Sequence, residues 1–311
     1  MRVFIATTSF AVFSNEPLNL LTDTGLEVSV NIKGRKLNEE ELSKTLSNCS
    51  GVIAGTEVYS NTVLKMLNKL KVISRVGVGL DNIDTDTAQN QNIRVYNTKT
   101  NPSPAVAELT LGLILDISRK ISIHNNQMKN EIWKKNMGSL LAGKTLGIIG
   151  LGHVGKKLVE LTRGFNLNTL AFDLYHNQKF SAENNIKYCG LDKLLKVSDV
   201  VSVHLNLSEE TKNLLNKDRL NTMKYNSILI NTSRGGIVNE KVLYELLKDK
   251  KIAGAGIDVF VEEPYHGPLK ELDNVILTPH IGSYAKEIRT KMEIEAAKNL
   301  IRGLKEDDKE S

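Results

Sequence analysis

The sequence predicts an α/β protein made of two doubly wound parallel-sheet domains. Short apolar runs alternate with amphipathic stretches along the first 95 residues, and a second alternating series begins at Lys144. A segment rich in helix breakers, followed by a long stretch with helical periodicity, lies between the two series. Strands that alternate with helices form parallel sheets covered by helices. A chain of 311 residues is long enough for two such domains, each with its own core.

The first series is predicted to form a five-stranded domain. Its strands are expected at residues 3–6, 28–30, 52–54, 72–75 and 93–95. Helices are expected at residues 39–46 and 61–67, with Ser60 or Asn61 as the cap of the second. Residues 97–104 contain two prolines and several turn formers, and residues 105–123 then have apolar positions at helical spacing. We interpret this region as a hinge and an interface helix between the domains.

The second series is predicted to form a larger domain. Strands are expected at residues 145–149, 169–172, 200–203, 227–231, 253–259 and 275–277, and helices at 154–164, 240–247 and 284–304. The chain is expected to return to the first domain near residue 282. The predicted domains are therefore residues 1–100 with 282–311, and residues 101–281.

Composition excludes several classes of protein. A hydrophobic fraction of 41% and a charged fraction of 25% are typical of globular proteins and exclude disordered chains and fibres. The net charge of +5 is spread along the chain, so we expect small anionic ligands and no nucleic acid. No apolar run is long enough to span a membrane. Two cysteines cannot form a disulfide framework or a four-ligand zinc site, so we expect a cytoplasmic protein without a metal.

A glycine motif predicts a dinucleotide site. Gly150, Gly152 and Gly155 form a GxGxxG between a predicted strand and a predicted helix, which is the context that such a site requires. His153 and Val154 are at the start of that helix, whose free N–H groups can bind a pyrophosphate.

The next predicted strand ends at Asp173, 18 residues after Gly155, where a carboxylate can bind the ribose hydroxyls. Residues 174–177 contain no arginine for a 2′-phosphate, so NAD is favoured over NADP.

Three polar residues follow later strands and suit the oxidation of a 2-hydroxy acid. They are Arg234, Glu263 and His280. A histidine can take the hydroxyl proton at neutral pH, and a carboxylate beside it favours the imidazolium. An arginine can form a bidentate pair with the substrate carboxylate. Taken singly, a histidine that follows a proline is more often structural, and Arg234 or Glu263 could be an ordinary loop charge.

At these residues the sequence resembles the D-isomer-specific 2-hydroxyacid dehydrogenase family. The resemblance extends over residues 75–84, 106–110, 141–155, 231–236, 258–264 and 278–282. It implies a Rossmann NAD-binding domain, a flavodoxin-like substrate domain, an active-site cleft between them and a homodimer formed through the cofactor domain. It also implies Arg234, Glu263 and His280 as the catalytic residues. The implied cofactor contacts are Val78, His153, Val154, Asp173, Leu205, Thr232, Asp258 and Gly282, with Asp258 on the nicotinamide carboxamide.

Within this family, the sequence is most similar to the 3-phosphoglycerate dehydrogenases of serine biosynthesis. Arg75 and residues 133–138 carry this similarity, which implies that Arg75 faces a substrate phosphate. The glycine-rich turn Gly77-Val78-Gly79 could hold the substrate carboxylate through its N–H groups. The chain ends shortly after its last predicted helix, so a short form without a regulatory domain is expected.

The substrate is left open by one departure from that subgroup. Pro102 occupies a position where the phosphoglycerate enzymes usually have an asparagine that contacts the substrate. The alternatives are an enzyme for another small acid, such as hydroxypyruvate or glyoxylate, and a phosphite dehydrogenase. A different class of function, an NAD(H)-sensing protein similar to corepressors of the same fold, also remains open.

Overall fold

The structure, a computed structural model, describes residues 1–307, and these form two compact units. Unit 1 comprises Met1–Asn101 and Tyr284–Ser311, of which residues 308–311 lie outside the described part of the chain. Unit 2 comprises Pro102–Ser283. Each unit is built on one parallel sheet, with five strands in the first and seven in the second. The predicted fold class of two parallel-sheet α/β domains is confirmed.

The sheet of unit 1 has the strand order β2-β1-β3-β4-β5. Its strands are β1 (Arg2–Ile5), β2 (Glu27–Val30), β3 (Gly51–Ala54), β4 (Val72–Arg75) and β5 (Arg94–Tyr96). All four pairings are parallel, and Val3 lies opposite both Val28 and Gly51. Strands β3 and β4 are buried along their whole length because helices cover both faces of the sheet.

Five helices in the described part of unit 1 cover this sheet. They are α1 (Glu16–Thr22), α2 (Glu39–Leu46), α3 (Asn61–Lys65), α4 (Thr85–Asn90) and α12 (Lys286–Asp307). Helix α2 starts with a capping box between Asn38 and Glu41, and the side chain of Ser60, one of the two predicted caps, accepts from Val63 N at α3. Helix α12 begins two residues later than predicted.

The sheet of unit 2 has the strand order β12-β11-β10-β9-β6-β7-β8. Its strands are β6 (Thr145–Ile149), β7 (Asn168–Phe172), β8 (Lys187–Tyr188), β9 (Val200–Val203), β10 (Ile228–Asn231), β11 (Gly254–Ile257) and β12 (Val275–Leu277). All six pairings are parallel. The strand order reverses between β6 and β9, and ligands of doubly wound sheets bind at such a point, outside the carboxyl ends of the strands.

Unit 2 contains seven α-helices. They are α5 (Ser103–Arg119), α6 (Ile121–Lys129), α7 (His153–Thr162), α8 (Gln178–Glu183), α9 (Leu191–Val197), α10 (Lys217–Asn221) and α11 (Glu240–Lys248). The prediction of one helix over residues 105–123 was wrong, because Lys120 has a φ of +56° and separates α5 from α6. Within residues 1–307, no helix combines the length and the apolar character that a membrane span needs.

Candidate active site

The glycine motif forms the turn between β6 and α7, and each glycine has a different surrounding. Gly150 has a φ of +94°, and a Cβ there would lie 2.5 Å from the carbonyl oxygen of His204. A Cβ on Gly155 would lie 2.5 Å from the carbonyl oxygen of Gly150, so this glycine lets the helix approach the strand. Gly152, at the N-cap of α7, has open space beside it. The turn therefore fits a pyrophosphate at the helix N-terminus.

Asp173 follows β7, and its carboxylate accepts a hydrogen bond from the glycine turn. Its Oδ2 accepts from Leu151 N at 2.7 Å, and its Oδ1 accepts from Tyr175 N at 2.9 Å. Each carboxylate oxygen has a second lone pair, so both can also accept from ribose hydroxyls. These bonds hold the carboxylate beside the turn, which is the arrangement that a dinucleotide requires.

His280 and Glu263 form a hydrogen-bonded pair in unit 2. His280 follows β12, Glu263 follows β11, and Nδ1 of the imidazole lies 3.1 and 3.0 Å from the two carboxylate oxygens. The side chains are 30% and 21% exposed, respectively. Because Nδ1 faces the carboxylate, Nε2 is the nitrogen that can exchange a proton with a substrate. Glu263 is itself fixed by a hydrogen bond from Phe260 N at 3.2 Å.

Asp258 holds the loop that carries the histidine. This residue is fully buried, and its carboxylate accepts from Thr278 Oγ1 at 2.5 Å, Ile281 N at 2.8 Å and Gly282 N at 2.9 Å. His280 N also donates to the carbonyl oxygen of Asp258, at 2.9 Å. Burial raises the pKa of Asp258, against the effect of these hydrogen bonds. His280 has a φ of +56°, an unfavourable value that persists only where surrounding bonds enforce it.

Arg234 lies in the loop after β10, at the same edge of the sheet. Its carbonyl oxygen accepts from Asn231 Nδ2 at 3.0 Å, and its guanidinium donates to Ser233 O at 2.7 Å. Gly235 packs so closely against the peptide of Phe260 that a Cβ would collide with it. The loop of Arg234 therefore lies against the loop of Glu263.

Sequence reasoning did not identify Glu240 as part of this site. Glu240 is the first residue of α11, and its Oε1 accepts from Val261 N at 2.7 Å, two residues before Glu263. Burial, with the nearby charge of Glu263, raises the pKa of Glu240. In the sequence this residue is indistinguishable from an ordinary acidic residue in a first helical turn.

The other expected cofactor residues of unit 2 also follow strand ends. Leu205 lies beside Gly150, and Thr232 Oγ1 is 2.8 Å from Thr110 Oγ1 in a buried pair. His153 and Val154 form the first turn of α7. Val78, the remaining expected cofactor residue, lies in the loop after β4 in unit 1.

In unit 1, the arginine expected to face a phosphate is buried. Arg75 is 6% exposed, and its guanidinium donates to Gly55 O at 3.3 Å and to Gly79 O at 2.5 Å. It therefore bridges the loops after β3 and β4. The N–H groups of Gly77, Val78 and Gly79 donate to none of the described residues, which suits a turn that binds a carboxylate.

No cluster of three or more potential metal ligands occurs among the residues that the structure describes. Pro102, in the position where the sequence departs from the phosphoglycerate subgroup, is the N-cap of α5.

Comparisons with known proteins show the family and the fold of this chain. Residues 111–282 match the family described as "D-isomer specific 2-hydroxyacid dehydrogenase, NAD binding domain". The chain is 34% identical to the hydroxypyruvate reductase of Thermotoga maritima over 309 residues, which cover 95% of this chain and 98% of that protein. It is 38% identical to the D-3-phosphoglycerate dehydrogenase of Methanocaldococcus jannaschii over 257 residues, which cover 81% of this chain but only 49% of that protein. The crystal structure of the TT0316 protein from Thermus thermophilus superposes with a TM-score of 0.88 at 34% identity, covering 98% of this chain and 97% of that one.

Proposed function

Because the chain belongs to the D-isomer specific 2-hydroxyacid dehydrogenase family, we propose that it interconverts a small D-2-hydroxy acid and its 2-keto acid with NAD(H). The observation that carries this proposal is the pair formed by His280 and Glu263, 3.0 Å apart at the carboxyl edge of a sheet with a dinucleotide turn. Ligands of open α/β sheets bind at that edge.

In the oxidation of the 2-hydroxy acid, each of the three residues has its own role. His280 Nε2 takes the proton of the C2 hydroxyl, and Glu263 stabilises the imidazolium that results. Arg234 binds the substrate carboxylate through its planar guanidinium. A bound NAD would supply the acceptor for the hydride that leaves C2. In the direction of reduction, His280 returns the proton to the oxygen of the 2-keto group.

We propose NAD(H) rather than NADP(H) as the cofactor. The pyrophosphate would lie on Gly152 and the first turn of α7, and the ribose hydroxyls on Asp173. The carboxylate of Asp173 would repel a 2′-phosphate, and the residues that follow it offer no arginine.

Two kinds of acid are candidates for the substrate. The similarity around Arg75, and relatives named D-3-phosphoglycerate dehydrogenase, support 3-phosphoglycerate and its keto acid. Relatives named hydroxypyruvate reductase and glyoxylate reductase support an unphosphorylated acid. The burial of Arg75 and its bonds to two carbonyl oxygens favour the second group, because a phosphate needs a cation within direct reach.

A panel of substrates tests the proposal. Purified protein would be assayed for the loss of NADH absorbance with glyoxylate, pyruvate, hydroxypyruvate and 3-phosphohydroxypyruvate, and then with NADPH. We expect reduction of at least one of these acids, with NADH preferred. A protein that binds NADH tightly but reduces none of them would instead be a nucleotide sensor.

We also propose that the protein acts as a homodimer formed through unit 2. Six large apolar side chains between residues 121 and 140 are exposed, namely Ile121, Met128, Ile132, Trp133, Met137 and Leu140. Exposed apolar residues grouped in one segment are typical of an interface. Light scattering during size exclusion would show a mass twice that of the chain, and a monomer at micromolar concentration would contradict the proposal.

A further inference from the structure

Glu240 is the first residue of α11, but its carboxylate does not cap that helix. The N-cap is Asn239, whose side chain accepts from Val242 N at 3.1 Å. Glu240 Oε1 instead accepts from Val261 N, in the loop after β11, at 2.7 Å. An acidic residue in a first helical turn ordinarily stabilises its own helix. The bond to Val261 therefore gives Glu240 a second role, in another part of unit 2.

Helix α11 gives this carboxylate a rigid support. Its side chains Leu243, Leu246 and Leu247 are at most 3% exposed. They belong to the core cluster that also contains Ile257, the last residue of β11. The start of the helix and the loop after β11 are therefore fixed on the same core. A group on a packed helix positions its partner more precisely than a group on a loop does.

The segment that Glu240 holds carries Glu263. Within residues 1–307, Val261 N donates to no backbone carbonyl, so the side chain of Glu240 supplies its acceptor. One residue earlier, Phe260 N donates to Glu263 Oε1 at 3.2 Å. Gly235 packs against the peptide that joins Phe260 to Val261. A single peptide therefore connects the first turn of α11, the loop of the arginine and the carboxylate that faces the histidine.

We propose that Glu240 is a positioning residue for Glu263: through Val261 N it holds the loop in which the Glu263 carboxylate faces His280 Nδ1. The inference rests on the proposed function, in which His280 transfers the substrate proton and Glu263 stabilises the imidazolium. Burial, with the nearby charge of Glu263, raises the pKa of Glu240, so the two carboxylates lie close together and repel each other. The hydrogen bond, and not an attraction between charges, therefore holds the loop. The role requires reach and an acceptor oxygen at residue 240.

Two substitutions separate the hydrogen bond from the charge. Glu240→Gln keeps the length and an acceptor oxygen, so kcat should stay within about threefold of wild type. Glu240→Asp keeps the charge and suits a first helical turn, but it is one methylene too short to reach Val261 N. Its kcat should fall by about tenfold to a hundredfold, because a displacement of about 1 Å in a catalytic group can cost roughly 100-fold. Glu245→Gln and Glu245→Asp, at an exposed position of the same helix, are the matched controls and should behave as wild type.

Amide hydrogen exchange at Val261 is a readout that does not depend on activity. Measured by NMR, this exchange should be about tenfold faster in Glu240→Asp than in wild type, because the amide loses its acceptor. In Glu240→Gln the rate should stay close to that of wild type. Equal exchange rates in all three proteins would show that Glu240 does not hold this loop, and the inference would be wrong.

A double-mutant cycle shows whether Glu240 acts through Glu263. In a Glu263→Gln background, which lacks the charge to be positioned, adding Glu240→Asp should change kcat by less than about twofold. The same loss in both backgrounds would overturn the inference, and so would a loss in Glu240→Gln as large as in Glu240→Asp. Should Glu240→Asp not fold, a kcat lowered tenfold or more in Glu240→Gln would by itself be decisive against the inference. A wild-type protein that reduces no 2-keto acid would overturn the proposed function and the inference with it.

Discussion

Replacing Asp258 by asparagine tests whether this buried carboxylate positions the histidine loop. An amide oxygen in the place of Oδ1 would keep the bonds from Thr278 Oγ1 and Ile281 N. The amide nitrogen in the place of Oδ2 would then face Gly282 N, which now donates to that oxygen at 2.9 Å. The amide nitrogen and Gly282 N, both hydrogen-bond donors, would then face each other. The buried N–H of Gly282 would lose its acceptor.

The expected size of the effect follows from that single lost acceptor. A buried unsatisfied group costs about 1–3 kcal/mol, which for a unit of this size lowers Tm by roughly 2–12 °C. The loop would relax because His280, at a φ of +56°, depends on these bonds. A shift of about 1 Å in a reacting group can cost roughly 100-fold in rate, so kcat should fall by about that factor.

Calorimetry and steady-state kinetics on Asp258→Asn measure both effects. Asp273→Asn, at an exposed position of the same unit, is the matched control and should behave as wild type. If Tm and kcat stayed normal and only the affinity for NADH fell, Asp258 would serve the nicotinamide carboxamide instead of the loop. That result would refute the positioning role.

Three further predictions concern single residues of unit 2. Arg234→Lys keeps the charge but loses the planar guanidinium, so its kcat/KM should be at least tenfold below that of the wild type. A variant with wild-type KM and kcat would show that Arg234 is a structural residue. Asp173→Ala should lower the NAD-to-NADP ratio of kcat/KM by about tenfold or more, and equal use of both cofactors by the wild-type protein would contradict the cofactor assignment. Burial lowers the pKa of His204 to about 4, so the ring is neutral in the native protein at neutral pH. The free energy of unfolding should therefore fall as the pH decreases from about 6.5 to about 4, because only the unfolded state takes up the proton in that range. Urea unfolding across that range should show a weaker pH dependence in His204→Gln, and identical curves for both proteins would show that His204 does not contribute.

The fold could be predicted from the sequence because apolar periodicity is a local signal. The strands of both sheets were expected close to where they lie, except the short β8. The break at Lys120 was missed because a single residue at positive φ leaves no trace in a periodic pattern. Five short helices, α1, α4, α8, α9 and α10, were missed because five to seven residues are too few to establish a period.

The candidate site was predictable to the extent that its residues follow strand ends. His280, Glu263 and Arg234 could be selected because the chemistry of a hydroxy acid needs those side chains. The loop bonds of Asp258 could not be anticipated, since they join residues 20 or more positions apart in a loop without periodicity. The buried state of Arg75 depends on how two loops pack, which no spacing in the sequence expresses.

The proposed function requires that His280 transfers the proton while NADH supplies the hydride. Its most direct test is kcat for the reduction of the best 2-keto acid by wild type and by His280→Asn, with the Kd for NADH measured by fluorescence. We expect a fall in kcat of about 100-fold to 10,000-fold with an unchanged Kd for NADH. A His280→Asn protein with near-normal kcat would contradict it.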